Sequence, residues 1–476
     1  MRENIIVIGG GVAGQSLVKD IQVSLPKTKI IGVLDDNVKE GTVIGKDVKV
    51  IGNIDSLKNI FDQYKLNKII IAMPSERGKL VRKIVLLVGD HNEIDICILP
   101  RVSEILATIK ASYTDVRLIE PVDIIGEEIV KKDQEKVNKV FKNEVILVTG
   151  GGGSIGSELS KQIFLLKPKK LIIIDMSEKN LFWVDLALKQ LNKLNNTTEI
   201  EVILGSVNNL PLISRIFKEN KITSVFHAAA YKHVPLLESN IYEAINNNSV
   251  STYNLSKLAY ESGVKKFILV STDKAVKPVN NMGRSKRLSE KIITYFDAKD
   301  AKTIYSAVRF GNVFNSSGSA VEIFLHQIEK EKKVTVTSEE MTRFFMTIPE
   351  AVHLILQAWY LAKESNFYMV EMGDAINILE LAKCLVVIKK QKLSTFNIEI
   401  IGTRPGEKIH EELFNGSEES RTRTEHKRIY KVKNTGKDEG FIQKFSDLLA
   451  YLKIDDVMSH SSKSSEKLSK LLKGLT

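Results

Sequence analysis

Read as apolar and polar stretches, the chain carries the same rhythm twice. The first segment sets the apolar runs IIVIG, KIIGVLDD and KIIIAMPS between polar stretches of helical length such as VAGQSLVKDIQ. That is the cadence of βαβ units around a parallel sheet. A second segment repeats it with VILVTG, KLIIIDMS, EVILGS, SVFHAAA, KKFILVST and TIYSAVRFGN, enough predicted strands for a full doubly wound domain. Past about Gly318 the alternation becomes irregular. The predicted helices AVEIFLHQIEK, PEAVHLILQAWYLAK and ILELAKCLVVIK there surround short strands, a smaller lobe of the kind that closes over a sheet's carboxyl edge. Between the two segments EEIVKKDQEKVNKVFKNE, Glu127 to Glu144, has the charge and modest periodicity of a linker helix.

The expected fold is therefore α/β, with two Rossmann-like doubly wound parallel-sheet domains. The first covers 1–126 and a linker helix 127–143. The second covers 144–454 and carries a mixed α/β substrate-binding lobe from about 318, and 455–476, rich in Ser and Lys, reads as a polar or disordered tail.

Composition narrows this only in places. At 476 residues and 43% apolar content the chain is globular and too long for a single core. Its two cysteines, Cys97 and Cys384, sit in separate apolar stretches and read as buried hydrophobes in a reducing compartment. No Cys/His cluster has ligand spacing, so no metal is expected. No stretch reaches the about 18 uninterrupted apolar residues of a membrane helix, and no signal peptide follows the N-terminus, so a soluble, cytoplasmic protein is expected. The formal charge of +11 comes from scattered Lys and Arg mixed with 58 acidic residues, which excludes a nucleic-acid surface as the reading.

Candidate chemistry begins at TGGGGSIG, where Gly150, Gly153 and Gly156 occupy the first βα turn. Missing side chains there let the backbone approach a pyrophosphate, and the helix from about Ser154 offers free N–H groups to it. Asp175 closes the next strand about 20 residues on, where a carboxylate binds ribose hydroxyls and repels a 2′-phosphate, favouring NAD over NADP. The N-terminal GGGVAG has the same form, with Gly9, Gly11 and Gly14 followed by Asp35 and Asp36. Two readings stay open for it: a second nucleotide site, or a Rossmann-like domain kept for packing or regulation.

The most informative stretch is VSTDKAVKPVNNMGRSKRLSE, Val270 to Glu290. A short-chain dehydrogenase normally carries Ser or Thr here and then Tyr-x-x-x-Lys. This chain keeps Lys286 but has Met282 in place of the Tyr, and a thioether cannot exchange a proton. Thr272, Asp273 and Lys274 stand immediately upstream as three proton-handling groups.

With TGGGGSIGSEL, FHAAAYKHVPLLE, STDKAVKPVNNMG, VRFGNVFNSSGS, TRFFMTIPEA and RPGEKIHEEL in that order, the chain resembles the bacterial polysaccharide and capsule biosynthesis family of UDP-N-acetylglucosamine 4,6-dehydratases, in the extended short-chain dehydrogenase superfamily. The resemblance covers nearly the whole chain, with VLDD, IAMPS and ILPR as landmarks of the family's extra N-terminal domain. Long family members usually carry transmembrane helices before that domain. Two departures stand out: Gly205-Ser206-Val207 replaces the family's GDV, and IIGE, with Glu127, replaces LLGR.

The resemblance implies an NAD-dependent lyase that makes a 4-keto-6-deoxy sugar nucleotide with internally recycled NAD, and a homo-oligomer. Lys274 is then the base at C5, Asp273 the acid at the C6 hydroxyl and Thr272 the relay from the C4 hydroxyl. Lys286 is assigned to the nicotinamide ribose. The implied cofactor set also includes Ser154, Ile155, Ser177, Ser206, Val207 and Ala228. Asn312, Arg343, Arg404 and Glu407 are assigned to UDP, and Lys232 and His233 to the sugar pocket. A nucleotide-sugar 4-epimerase or reductase, which would need Tyr at 282, and a non-catalytic NAD(H)-responsive regulator are the rival readings.

Overall fold

The computed structural model describes residues 3–73, 78–99, 112–126, 137, 140–193, 198–299, 302–416, 419–434, 440–453 and 462–476. The linker-helix expectation (127–136, 138, 139) and parts of IAMPS and ILPR lie outside them.

The chain divides into two compact units, and the division is not the linear one expected. Met1–Glu128 is joined in one unit by Ala320–Met341 and Ile376–Gly402, while Ile129–Ser319, Thr342–Ala375 and Thr403–Thr476 form the other. The expected lobe is thus split between them. The cause is apolar: helix Ile378–Ile388 buries Ile378, Leu381, Cys384 and Leu385 and packs on helix Lys79–Val88. Arg82 Nε of that helix also donates to Glu380 Oε1 at 2.7 Å.

In the first unit the strand Asn4–Ile8 pairs in parallel with Lys29–Leu34 and Lys68–Ile71. Ile5 through Ile8 are fully buried, as strands covered on both faces require. The sheet has seven strands with Asn4–Ile8 central.

The second unit is built on nine strands. Glu199–Leu204, Lys170–Asp175, Val145–Thr149, Ser224–His227, Lys266–Val270, Ile304–Arg309 and Phe367–Val370 run parallel in that spatial order. Two antiparallel strands, Ile429–Asn434 and Glu419–Arg423, close the far edge. Successive residues serve opposite faces: Leu147, Ile172 and Phe267 enter one core, Ile146, Ile173 and Ile268 the other. The strand order reverses between Val145–Thr149 and Ser224–His227, and a ligand crevice is expected beyond the carboxyl ends there.

The tail is a correction. Ser462–Leu475 is a helix, and Leu468, Leu472 and Leu475 are buried in the core of the second unit. The Ser and Lys that suggested disorder occupy its other positions. Among the described residues no helix is long and apolar enough to cross a membrane.

Candidate functional site

At the order reversal, the strand Val145–Thr149 runs into the turn 150–153 and then helix Ser154–Leu165. Gly150 has φ of +67°, and a Cβ there would lie 2.6 Å from Ala229 backbone. A Cβ on Gly156 would meet Gly150 O at 2.0 Å, so helix and turn touch only because Gly156 has no side chain. A groove of about 610 Å³ opens beside the turn, lined by Gly150, Gly153, Asp175, Ser206, Val207 and Ala228 among the expected residues. Met176, Asn180, Tyr231 and Asn247 also line it and went unread in the sequence.

The backbone fixes Asp175: Gly152 N–H donates to Oδ2 at 2.8 Å and Ser177 N–H to Oδ1 at 2.7 Å. Gly156 serves packing, Ile155 packs against the core, and Ser177 caps helix Glu178–Asn192. Ser154 Oγ accepts from Ser317 N–H at 3.1 Å. A bare glycine turn, a helix N-terminus and an oriented carboxylate fit a dinucleotide.

The N-terminal turn repeats the packing, since a Cβ on Gly14 would meet Gly9 O at 1.9 Å. Its acid is held by the equivalent pair of donors and one more. Asp35, almost fully buried, accepts three backbone N–H groups, from Gly10 at 2.6 Å, Asn37 at 2.7 Å and Val38 at 2.9 Å. Burial pushes its carboxyl up, and those three donors more than reverse this, holding it below the usual carboxylate range. Asp36 accepts from Ile54 N–H. Asp35 therefore has a complete packing role of its own.

The strand Lys266–Val270 pairs with Ser224–His227, whose continuation through Ala228 lines the groove, and delivers Thr272, Asp273 and Lys274 in a short turn, Thr272 capping it. Thr272 Oγ1 donates to Asp273 Oδ1 at 2.8 Å, and Lys274 Nζ donates to the same oxygen at 3.0 Å and to Asn312 Oδ1 at 3.0 Å. Asp273 is fully buried, and its Oδ2 has no hydrogen-bond partner among the described residues. Helix Asn281–Lys299 abuts this turn through Gly283, where a Cβ would lie 2.3 Å from Lys274 O. Met282 is 4% exposed and packs in an apolar cluster with Leu237, Ala244, Tyr231 and Val234.

Lys286 Nζ donates to Val270 O at 2.6 Å. Burial lowers its pKa to about 8 against the opposing pull of Glu290. His227, buried between the Thr149 and Thr252 hydroxyls at 2.7 and 3.0 Å, is held neutral by burial with help from the Lys286 charge, its pKa about 3.

Two polar networks that periodicity could not reveal hold this arrangement. Glu290 and Arg309, both without solvent exposure, pair twice at 2.7 and 2.8 Å, and Ser271 Oγ donates to the same carboxylate at 2.8 Å. Asn248 accepts from Tyr231 N–H at 2.8 Å and donates to Tyr231 O at 3.0 Å and Ser285 Oγ at 2.9 Å. It thereby ties AAAYKH to the helix carrying Met282 and Lys286.

The expected substrate residues are only partly free for that task. Lys232 Nζ donates to Ser316 Oγ at 3.2 Å, and the His233 ring lies where a Cβ on Gly318 would be 2.2 Å away, so that loop and NSSG meet. Arg404 is exposed, and its N–H donates to Glu407 Oε2 at 3.2 Å. Two of these residues make contacts within the protein. Asn312, expected at UDP, holds Lys274. Arg343 aims its guanidinium at backbone, Nη1 at Thr342 O and Ile409 O (2.7 and 2.9 Å) and Nη2 at Lys408 O (2.7 Å). It shapes the RPGEKIH segment before any ligand contact. Asn280 Nδ2 anchors the same segment through Gly406 O at 2.8 Å.

Residues 146–434 match the family described as polysaccharide biosynthesis protein. The chain belongs to that family. It is 36% identical over 468 residues to the capsular polysaccharide biosynthesis protein CapD of Staphylococcus aureus, covering 98% of this chain and 76% of that protein. It is 34% identical over 331 residues to a UDP-glucose 4-epimerase of Rickettsia bellii, covering 68% of this chain and 93% of that one. Among solved structures, Pen from Bacillus thuringiensis is similar at 32% identity and a TM-score of 0.55, covering 62% of this chain and 90% of that chain.

Proposed function

We propose that this protein is an NAD-dependent nucleotide-sugar 4,6-dehydratase acting on UDP-N-acetylglucosamine in surface-polysaccharide synthesis. The observation that carries this reading is the hydrogen-bonded set Thr272–Asp273–Lys274 in a chain whose tyrosine position, 282, is a methionine packed among apolar side chains. A proton can pass from Thr272 through Asp273 Oδ1, while Asp273 Oδ2 is buried with no donor among the described residues. A tyrosine-based oxidation needs none of this; an elimination needs an acid and a base on neighbouring carbons.

NAD, when bound against the glycine turn and Asp175, supplies the hydride acceptor for C4 and the hydride donor for C6. The chain handles the protons. Thr272 passes the C4 hydroxyl proton to Asp273, which delivers it to the departing C6 hydroxyl. Lys274, steered by Asn312, removes the C5 proton and later delivers one exchanged with solvent to C5. Lys286, held by Val270 O, is assigned to the nicotinamide ribose. The UDP side falls to Arg404 and Glu407, with Lys232 and His233 at the sugar.

The epimerase relative supports a second reading on the same scaffold, in which no water leaves. Added NADH discriminates a third, the reductase. A dehydratase forms product without net change in nicotinamide absorbance, and NADH consumed in step with product would overturn the proposal.

A further inference from the structure

The proton count at the Thr272–Asp273–Lys274 wire is incomplete, and a residue outside it supplies what is missing. The resting geometry is an ion pair, Lys274 ammonium on Asp273 carboxylate at 3.0 Å. When the C4 hydroxyl is oxidised, its proton reaches Asp273 through Thr272. Asp273 is then the acid required at C6, but Lys274 still carries its own proton. A base at C5 must be an amine. One proton therefore has to leave Lys274 and go somewhere other than Asp273.

Glu411 stands at that place. Its side chain is 5% exposed, and Oε1 lies 3.8 Å from Lys274 Nζ and 3.9 Å from Arg343 Nη2. Oε2 is buried with no hydrogen-bond partner among the described residues. A buried carboxylate oxygen left without a donor is costly to maintain, which leaves room for a donor there. Arg343, fixed by the carbonyls of Thr342, Lys408 and Ile409, holds the segment carrying Glu411 against the wire. The remaining charged neighbours are engaged elsewhere: Lys408 Nζ on Val276 O, His410 Nδ1 with Thr342 Oγ1, and Glu412 with Lys277.

Resting on the dehydratase reading above, we propose that Glu411 is a positioning residue that stores the Lys274 proton during the elimination. Lys274 gives a proton to Glu411 as the C4 hydroxyl proton loads Asp273. The neutral amine takes the C5 proton, the C5–C6 double bond forms, and the C6 oxygen leaves as water with the Asp273 proton. As hydride arrives at C6, Lys274 ammonium returns its proton to C5, and Glu411 then restores the ammonium. The sum is loss of one water, with every protein group back in its starting state. The 3.8 Å gap closes by a lysine adjustment of about 1 Å or by one bridging water, both within the reach of acid–base transfer.

The test compares pH–rate profiles of wild type, Glu411→Gln and Glu411→Asp as full-length, NAD-loaded proteins on UDP-N-acetylglucosamine, with calorimetric Kd for the nucleotide sugar measured alongside. Glu411→Gln should bind the sugar within about threefold of wild type and lose about 10²-fold or more in kcat at neutral pH. Its rate should then climb by about tenfold per pH unit as water takes over the role of acceptor, while wild type and Glu411→Asp stay flat. Full activity of Glu411→Gln, or a loss equal at every pH, overturns the assignment while the dehydratase reading stands. Should Glu411→Gln fail to fold by circular dichroism, Glu411→Asp decides: a flat profile supports the assignment and inactivity at every pH overturns it. A wild type that releases no water from UDP-N-acetylglucosamine overturns the functional reading and this assignment with it.

Discussion

Replacing Glu290 with Gln probes how much of the site depends on a buried charge pair. Glu290 and Arg309 have no solvent exposure and meet in two hydrogen bonds of 2.7 and 2.8 Å, while Ser271 adds a third at 2.8 Å and Arg287 approaches at 3.4 Å. Burial pushes the Glu290 carboxyl up, and Arg309 above all, then Arg287 and Ser271, pull it back below its ordinary value. Glutamine keeps the shape, but it removes the charge that Arg309 needs and turns an N–H₂ toward a donor. Breaking one side of such a pair costs about 3–5 kcal/mol, and at about 2–4 °C per kcal/mol for a unit of this size the melting temperature should fall by roughly 10 °C. Because Ser271 precedes Thr272, kcat should fall too. Differential scanning fluorimetry and urea unfolding measure the first effect, steady-state turnover the second. Glu290→Met with Arg309→Met should recover most of the stability, since a buried pair replaced by apolar groups is often neutral. A Glu290→Gln protein within about 1 kcal/mol of wild type would refute the reasoning.

Other substitutions separate packing from chemistry. Met282→Leu should keep activity within a few-fold because its cluster is apolar, whereas Asp273→Asn, which keeps shape but not the acid, should lose about 10²- to 10⁴-fold in kcat; the reverse ranking contradicts the assigned roles. Lys286, lowered to about 8 by burial, holds a charged form that opposes folding at neutral pH, and the penalty fades as pH rises from about 8 toward its unfolded value of 10.5. Lys286→Met should therefore gain about 1–2 kcal/mol at pH 7, roughly 3 from the relieved charge less the lost bond to Val270 O, gain little in unfolding assays above pH 10, and be inactive. Deleting residues 1–128 should leave helix Ile378–Ile388 with its apolar face uncovered, and light scattering should report aggregation unless Leu381 and Leu385 are also made polar.

Much of this architecture is written locally. The apolar runs that end at Thr149, Asp175 and Val270 became strands of one parallel sheet because each is buried on both faces and needs parallel partners. The glycine turn and Asp175 were legible for the same reason, since their spacing alone sets the crevice. What stayed hidden depends on partners distant in sequence. Leu468, Leu472 and Leu475 stand four and three apart, but the Ser and Lys around them masked a helix that only the second core stabilises. ILELAKCLVVIK was correctly a helix, yet nothing in it says that its apolar face belongs with Lys79–Val88. Asn248, Glu290 and Glu411 look like surface polar residues until the fold buries each beside the groups it serves. Asn312 and Arg343 show the converse: their types suit a diphosphate, while their geometry gives them first to Lys274 and to backbone carbonyls.

The central claim is that this site eliminates water across C5 and C6 with hydride kept inside the protein. Incubating the full chain with UDP-N-acetylglucosamine in heavy water and following the sugar by NMR tests it most directly. The account predicts a 4-keto-6-deoxy product carrying solvent deuterium at C5 and none in the C6 hydrogen that came from C4. A product that keeps its C6 hydroxyl and is inverted only at C4, or consumption of NADH in step with product, would contradict it.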